Sequence, residues 1–187
     1  MKKLLSIIIL IATASACNNN KSRNLKAAEE IFDKVPSTEN MNAGKHHYTV
    51  FIPDGWITSR QTYQGVEYYF VTAPKTPDDP NTNVNVISEN MRGMDLDKFF
   101  TGAMVSLRQA IPSAEILDEG DVTAHGIEGR WYIYTMEPQG VKAKLISYIF
   151  PKEGVAYILT AGTQPQDFDR HKPTFDKIAK SLKFSSR

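Results

Sequence analysis

The sequence predicts an α+β fold in which a mostly antiparallel sheet carries helices on both faces, an α/β/α sandwich. Three observations lead to it. Short alternating segments separated by glycine and proline turns recur through most of the chain. Two segments, Asp95 to Ile111 and Gln166 to Leu182, switch to an apolar period of three and four residues. Finally, two of the strands are apolar on both sides: Trp131 and Ile133 oppose Tyr132 and Tyr134, and Ile158 opposes Tyr157 and Leu159. A strand that is dry on both sides has to be covered on both sides, and the two helices are the covers, one for each face.

The elements follow in order. His46 to Ile52 alternates, with Tyr48, Val50 and Ile52 on one face and His47, Thr49 and Phe51 on the other, and reads as a strand. Pro53-Asp54-Gly55 ends it in a turn, with Trp56 directly behind. Gln61 to Gly65 reads as a second turn, Val66 to Ala73 as a strand, Pro74 to Asn83 with its three prolines as a surface loop, and Val84 to Glu89 as a further strand. The strongest helix follows. Leu96, Phe99, Phe100, Ala103, Met104, Leu107 and Ile111 form its stripe, Asp95 its N-cap, and Pro112 closes it. Ala114 to Ala124, Arg130 to Met136, Lys142 to Phe150 and Val155 to Gly162 read as four strands of a meander punctuated by Gly126, Gly129, Gly140 and Gly154. The last helix carries Phe168, Phe175, Ile178, Ala179 and Leu182 along one stripe, with Pro173 as an irregularity.

The N-terminus has a different character. Lys2 and Lys3 precede an apolar run from Leu4 to Ala12, then Ala14, Ser15 and Ala16, then Cys17. That order is a secretory signal peptide over residues 1–16. Its apolar run is shorter than the roughly 20 residues a permanent membrane helix needs. Ala14-Ser15-Ala16 would also suit an ordinary secreted protein. Cys17, the single cysteine, breaks the tie, because it stands where bacterial lipoproteins carry the thiol that receives diacylglycerol, although Ala14 replaces the usual leucine. Acylation of the new amine, with palmitate for example, would add a further chain, and stable anchoring takes two or more.

Cleavage removes two of the 22 basic residues and leaves 20 against 21 acidic ones. A charge so close to zero offers no footprint for nucleic acid, so the expected membrane contact is the lipid on Cys17. With no second cysteine the folded part can form no disulfide and must rely on its core. Residues 18–24 are polar and read as a tether, Leu25 to Val35 as a short helix, and residues 36–44 as a loop.

A search for reactive groups finds little. A zinc site needs converging His, Cys, Asp or Glu ligands, and His46 and His47, being adjacent on a strand, point to opposite faces. Asp167 and His171 lie four apart on the last helix and read as a surface charge pair before a metal pair. His125 precedes Gly126 in a turn and is expected in solvent. Asp79, Asn81 and Asn83 imitate the start of a calcium loop, but Val84 replaces the required glycine and Asn90 the closing glutamate, which leaves an Asx-rich turn. No G-x-S-x-G elbow, S-x-x-K pair or phosphate-cradling glycine loop is present. Catalytic residues, metal ligands and cofactors are therefore assigned to none.

The aromatic strand residues Tyr63, Tyr68, Tyr69, Trp131, Tyr132 and Tyr134 read first as packing. Trp56, Tyr68, Tyr132 and Tyr134 are the candidates for a partner or ligand surface, should any stand exposed.

Two phrases carry a resemblance. Tyr48-Thr49-Val50-Phe51-Ile52 followed by Pro53-Asp54-Gly55-Trp56, and the closing Phe175, Ile178 and Ser181-Leu182-Lys183-Phe184, resemble the first strand and turn and the final helix of the PsbP-like superfamily. That superfamily includes photosystem PsbP subunits and bacterial DcrB lipoproteins. Leu182 departs from its usual phenylalanine. The strand Asn83 to Ile87, the amphipathic helix and the Gly126, Gly129 and Trp131 stretch lie between in the expected order, so the resemblance spans Lys45 to Phe184.

The resemblance implies the same sandwich over residues 45–187, behind a lipidated cysteine, tether and short helix over 17–44. It further implies a non-catalytic accessory role, holding or stabilising an envelope protein partner. A small-ligand carrier is the alternative, and an envelope hydrolase a third. Photosystem members bind calcium and manganese, but no ligand here maps onto theirs. Asn18 after the cysteine favours an outer-membrane anchor facing the periplasm.

Overall fold

The structure, a computed structural model, describes residues 46–63 and 65–184. Cys17, the signal peptide expected over 1–16, the tether expected over 18–24, the helix expected over 25–35 and the loop expected over 36–44 lie outside the described residues. Seven strands form one antiparallel sheet in the order β2-β3-β4-β8-β7-β6-β5. They are β2 (Ile57–Tyr63), β3 (Val66–Thr72), β4 (Asn83–Asn90), β5 (Glu115–Ala124), β6 (Ile127–Met136), β7 (Ala143–Lys152) and β8 (Val155–Thr163). Two short strands, β1 (Tyr48–Thr49) and β9 (Lys183–Phe184), pair antiparallel and join the two ends of the domain.

One helix covers each face. Helix α1 (Leu96–Ala110) buries Phe99, Phe100, Ala103 and Leu107 against Tyr68, Phe70, Ile87, Tyr132, Tyr134, Leu145, Ile149 and Ile158. Its N-cap is Asp95, whose side chain accepts from the Lys98 amide at 2.8 Å and so satisfies one of the donors a helix start leaves free. Helix α2 (Phe168–Lys180) lays Phe168, Phe175, Ile178 and Ala179 on the opposite face, against Val84, Val86, Ile146, Tyr148, Tyr157 and Leu159. Pro173 sits on its exposed side and the helix runs on to Lys180. The alternation at Tyr157, Ile158 and Leu159 thus feeds two separate cores, as the apolar pattern requires.

Three local expectations are corrected. The strand expected over His46 to Ile52 is only Tyr48–Thr49, because its partner β9 is two residues long, and Val50, Phe51 and Ile52 pack as extended chain against the α2 side. Gln61 to Tyr63, expected as a turn, belongs to β2, a strand that the sequence reading missed; it is an edge strand, mostly exposed, with no buried face to impose alternation. Gly129 marks no turn. It lies within β6, where a Cβ would fall 2.6 Å from the Ile149 carbonyl oxygen and 2.7 Å from Phe150, so the close approach of β7 demands glycine. The turns themselves are at His125-Gly126 and Glu153-Gly154, where both residues have positive φ (47° and 80°, 50° and 79°), as two-residue hairpins of right-twisted strands prefer.

Candidate functional site

Four polar clusters stand out. The first centres on Asp79 in the loop between β3 and β4. Asp79 is 6% exposed and lies beside Thr82 (1%) and Thr163 (4%). Its Oδ1 accepts from the Thr82 hydroxyl, which stands 2.6 Å from that of Thr163. Its Oδ2 is 2.5 Å from His171 Nε2 and 3.4 Å from the Arg170 guanidinium on α2. Burial alone would raise this carboxyl, but the hydrogen bonds from Thr82 and His171 and the charges of His171 and Arg170 outweigh it and hold the pKa below the ordinary 3.8.

The arrangement differs from the expectation at this position. His171 pairs with Asp79 and not with Asp167, whose carboxylate instead takes Arg170 at 2.8 Å. The Asx-rich loop that looked like a bare turn therefore anchors a buried ionic knot. Acyl-transfer triads place the histidine between carboxylate and hydroxyl. Here the carboxylate is the centre, with both threonines and the histidine bonding to it, so the geometry fixes the loop to α2 and does not activate a nucleophile.

The second cluster holds the chain's entry to the domain. His46 Nδ1 is 2.9 Å from the Tyr157 hydroxyl and its Nε2 is 2.8 Å from Glu153 in the β7–β8 turn. Tyr157 also meets Phe184 edge-on, with ring centroids 4.6 Å apart. In the third, Tyr148 donates to Asp176 at 2.6 Å, and Asp176 takes Lys172 at 2.9 Å. Burial first, then the hydrogen bond to Asp176 and its charge, push the Tyr148 phenol far above its ordinary value. In the fourth, Arg130 stacks 4.3 Å over the Phe100 ring and reaches Asp97 at 2.7 Å and Asp121 at 3.1 Å, joining α1 to the β5–β6 hairpin.

The four candidate surface residues do not form one surface. Tyr68, Tyr132 and Tyr134 are each 0% exposed, in the core beneath α1, because their strand positions face that helix. As an external partner surface they are corrected; they line the interior instead. Trp56 is half-buried on the other side, packed against the α2 cluster. Alongside the tyrosines the sheet carries an unexpected buried polar row, Asn85, Thr160 and Ser147, in which the two hydroxyls lie 3.0 Å apart. Sequence reading missed it, since each residue looks ordinary until register aligns it with its neighbours.

Among the described residues no group of three or more His, Cys, Asp or Glu is placed to hold a metal ion, and no helix is long and apolar enough to cross a membrane. His125 is exposed in its turn. The large exposed apolar residues among those described, Ile57, Val105, Leu117 and Val141, sit on β2, α1, β5 and the connection before β7.

No protein-family model matches the chain, and no curated protein matches its sequence. Solved structures do match in fold. LpqN, described as involved in cell envelope biogenesis of Mycobacterium tuberculosis, superposes with a TM-score of 0.59 at 15% identity, over 80% of this chain and 90% of its own. A protein of unknown function from Pseudomonas aeruginosa gives 0.56 at 15% identity, over 75% and 99%. The cyanobacterial PsbP of Synechocystis gives 0.53 at 15% identity, over 80% and 99%. The chain therefore has the PsbP-like α+β fold.

Proposed function

We propose that this chain is a non-catalytic, lipid-anchored accessory protein of the cell envelope that holds or stabilises a protein partner at the membrane. The observation that carries the reading is the pairing of a PsbP-like fold, shared with LpqN, a protein involved in cell envelope biogenesis, with polar clusters spent on joining elements. Asp79 and His171 bond one another, as do Tyr148 and Asp176, and His46 and Tyr157. Fold alone specifies no activity, and here the polar side chains of these clusters are occupied with one another.

In this reading Cys17 carries the lipid, and the 28 residues between it and His46 let the domain reach a partner beside the bilayer, preferably the outer membrane on its periplasmic side. The test is crosslinking in living cells followed by identification of what is captured. One or a few envelope proteins, recovered from cells with the native chain and lost from cells with Cys17→Ser, is the expected result. Turnover of an envelope substrate by the purified chain, abolished by a single carboxylate substitution, would overturn it.

A further inference from the structure

The two faces of the sheet treat buried polar groups differently. On the α2 side, the hydroxyls of Tyr148 and Tyr157 and of the Thr82–Thr163 pair all find partners at 2.6 to 2.9 Å. On the α1 side Ser147 and Thr160 bond each other at 3.0 Å, yet the hydroxyls of Tyr132 and Tyr134 and the Asn85 Oδ1 have no protein partner. These three residues are exposed by 0%, 0% and 2%. Burial raises both phenols and Ser147, the polar group beside each of them, opposes that rise, but Ser147 is already engaged with Thr160 and neither phenol reaches it with ordinary hydrogen-bond geometry. Buried polar atoms almost always have partners, protein or solvent.

Register gathers these groups. Asn85 lies opposite Thr160, Thr160 opposite Ser147, and Ser147 opposite Tyr132, on the four neighbouring strands β4, β8, β7 and β6. Tyr134 stands two residues from Tyr132 on the same face, with ring centroids 5.4 Å apart. Around this row the α1 core also holds Met91 and Met136, with Met94 and Met104 packed at its margin. Methionine is the side chain that best reshapes around an occupant.

We infer that the row Asn85–Thr160–Ser147–Tyr132, with Tyr134, is an internal binding site for a small neutral hydroxyl-bearing occupant, either ordered water or the hydroxyl of a small organic ligand. The donor inventory sets the chemistry. The phenols can donate or accept and Asn85 Oδ1 can only accept, so a group that both donates and accepts, as a hydroxyl does, matches the row best. A charged ligand is disfavoured, because none of the five lining side chains carries a charge to pair with it.

The sign of a conservative substitution tests the inference. Removing an unpaired hydroxyl from a dry core relieves a desolvation penalty, whereas removing one that holds an occupant loses a bond. In the full chain, Tyr132→Phe and Tyr134→Phe should each lower Tm by about 2 to 4 °C, near the shift that one lost hydrogen bond gives a domain of this size. Tyr148→Phe, whose hydroxyl is paired with Asp176, is the positive control. An unchanged or raised Tm in both β6 variants overturns the proposal. So does a crystal structure of the full chain with no density beside the two phenols. Native mass spectrometry separates the sources: a retained small mass that Tyr134→Phe releases assigns an organic ligand, and a lowered Tm without added mass assigns water.

Discussion

His171 on α2 bonds Asp79 in the loop before β4, Nε2 to Oδ2 at 2.5 Å, across 92 residues of chain. Because Asp79 is almost wholly buried and also takes Thr82, this contact is the bolt between a proline-rich loop and the helix that covers one face of the sheet. Removing the carboxylate leaves His171 and one proton of the Thr82–Thr163 hydroxyl pair without their acceptor. Asp79→Ala is expected to lose about 2 to 4 kcal/mol, the range for breaking a buried, hydrogen-bonded ionic contact from one side. Urea unfolding at neutral pH measures it, and His171→Ala should show most of the same loss without adding fully to it in the double variant.

The same knot makes stability depend on pH in a defined direction. The folded pKa of Asp79 lies below its ordinary value of 3.8, so folding favours the ionised form. Its contribution is complete above the unfolded pKa and is lost as pH falls through the folded one. Native protein should therefore lose more stability than Asp79→Asn between about pH 5 and pH 2, the two curves converging at the acid end. Urea midpoints of both proteins across that range check this; parallel curves would contradict it.

Gly129 and Gly162 offer a matched pair. Both are glycines inside strands, and an added Cβ would fall under 3 Å from a neighbour at each. At Gly129 that neighbour includes the backbone oxygen of Ile149, which cannot yield without disturbing the β6–β7 ladder; at Gly162 it is the tip of the Leu145 side chain, which can turn. Gly129→Ala should cost about 2 to 4 kcal/mol and Gly162→Ala about 1 kcal/mol or less. Equal losses in denaturant unfolding would mean that the sheet relaxes at both places alike.

How far the sequence foretold these relationships depends on their range. Helix α1 was legible end to end because its stripe from Leu96 to Leu107, its cap Asp95 and its stop Pro112 are all local. The central strands β6 and β8 were legible because burial on both faces leaves unbroken apolar runs. Strand β2 was not, since an exposed edge needs no alternation and its only signal was the β-branched Ile57, Thr58 and Thr62. The Asp79–His171 bond and the buried row from Asn85 to Tyr132 were beyond reach for another reason: each joins residues that only strand order brings together. In the sequence Asp79 groups with its neighbours Asn81 and Asn83, and His171 with Asp167, and nothing local joins the two.

Arg130 gives the last prediction, which concerns how α1 is held. The guanidinium carbon lies 4.3 Å from the centre of the Phe100 ring while its nitrogens reach Asp97 on α1 and Asp121 on β5. The side chain is about three-quarters buried, but its carboxylate partners are largely exposed, so solvent screens the ion pairs and the stacked contact carries much of the effect. Lysine cannot reproduce a planar fork that covers a ring, donates a hydrogen bond to Asp97 and sets its charge beside Asp121. Arg130→Lys should therefore lose most of what Arg130→Ala loses, about 1 to 2 kcal/mol. Raising salt should recover little of the difference between native protein and variants if stacking dominates. Amide hydrogen exchange along α1 is the sharper readout, with protection falling first in the turn containing Asp97 and Phe100. If Arg130→Lys kept native protection there, the ion pairs and not the ring contact would be what fastens the helix.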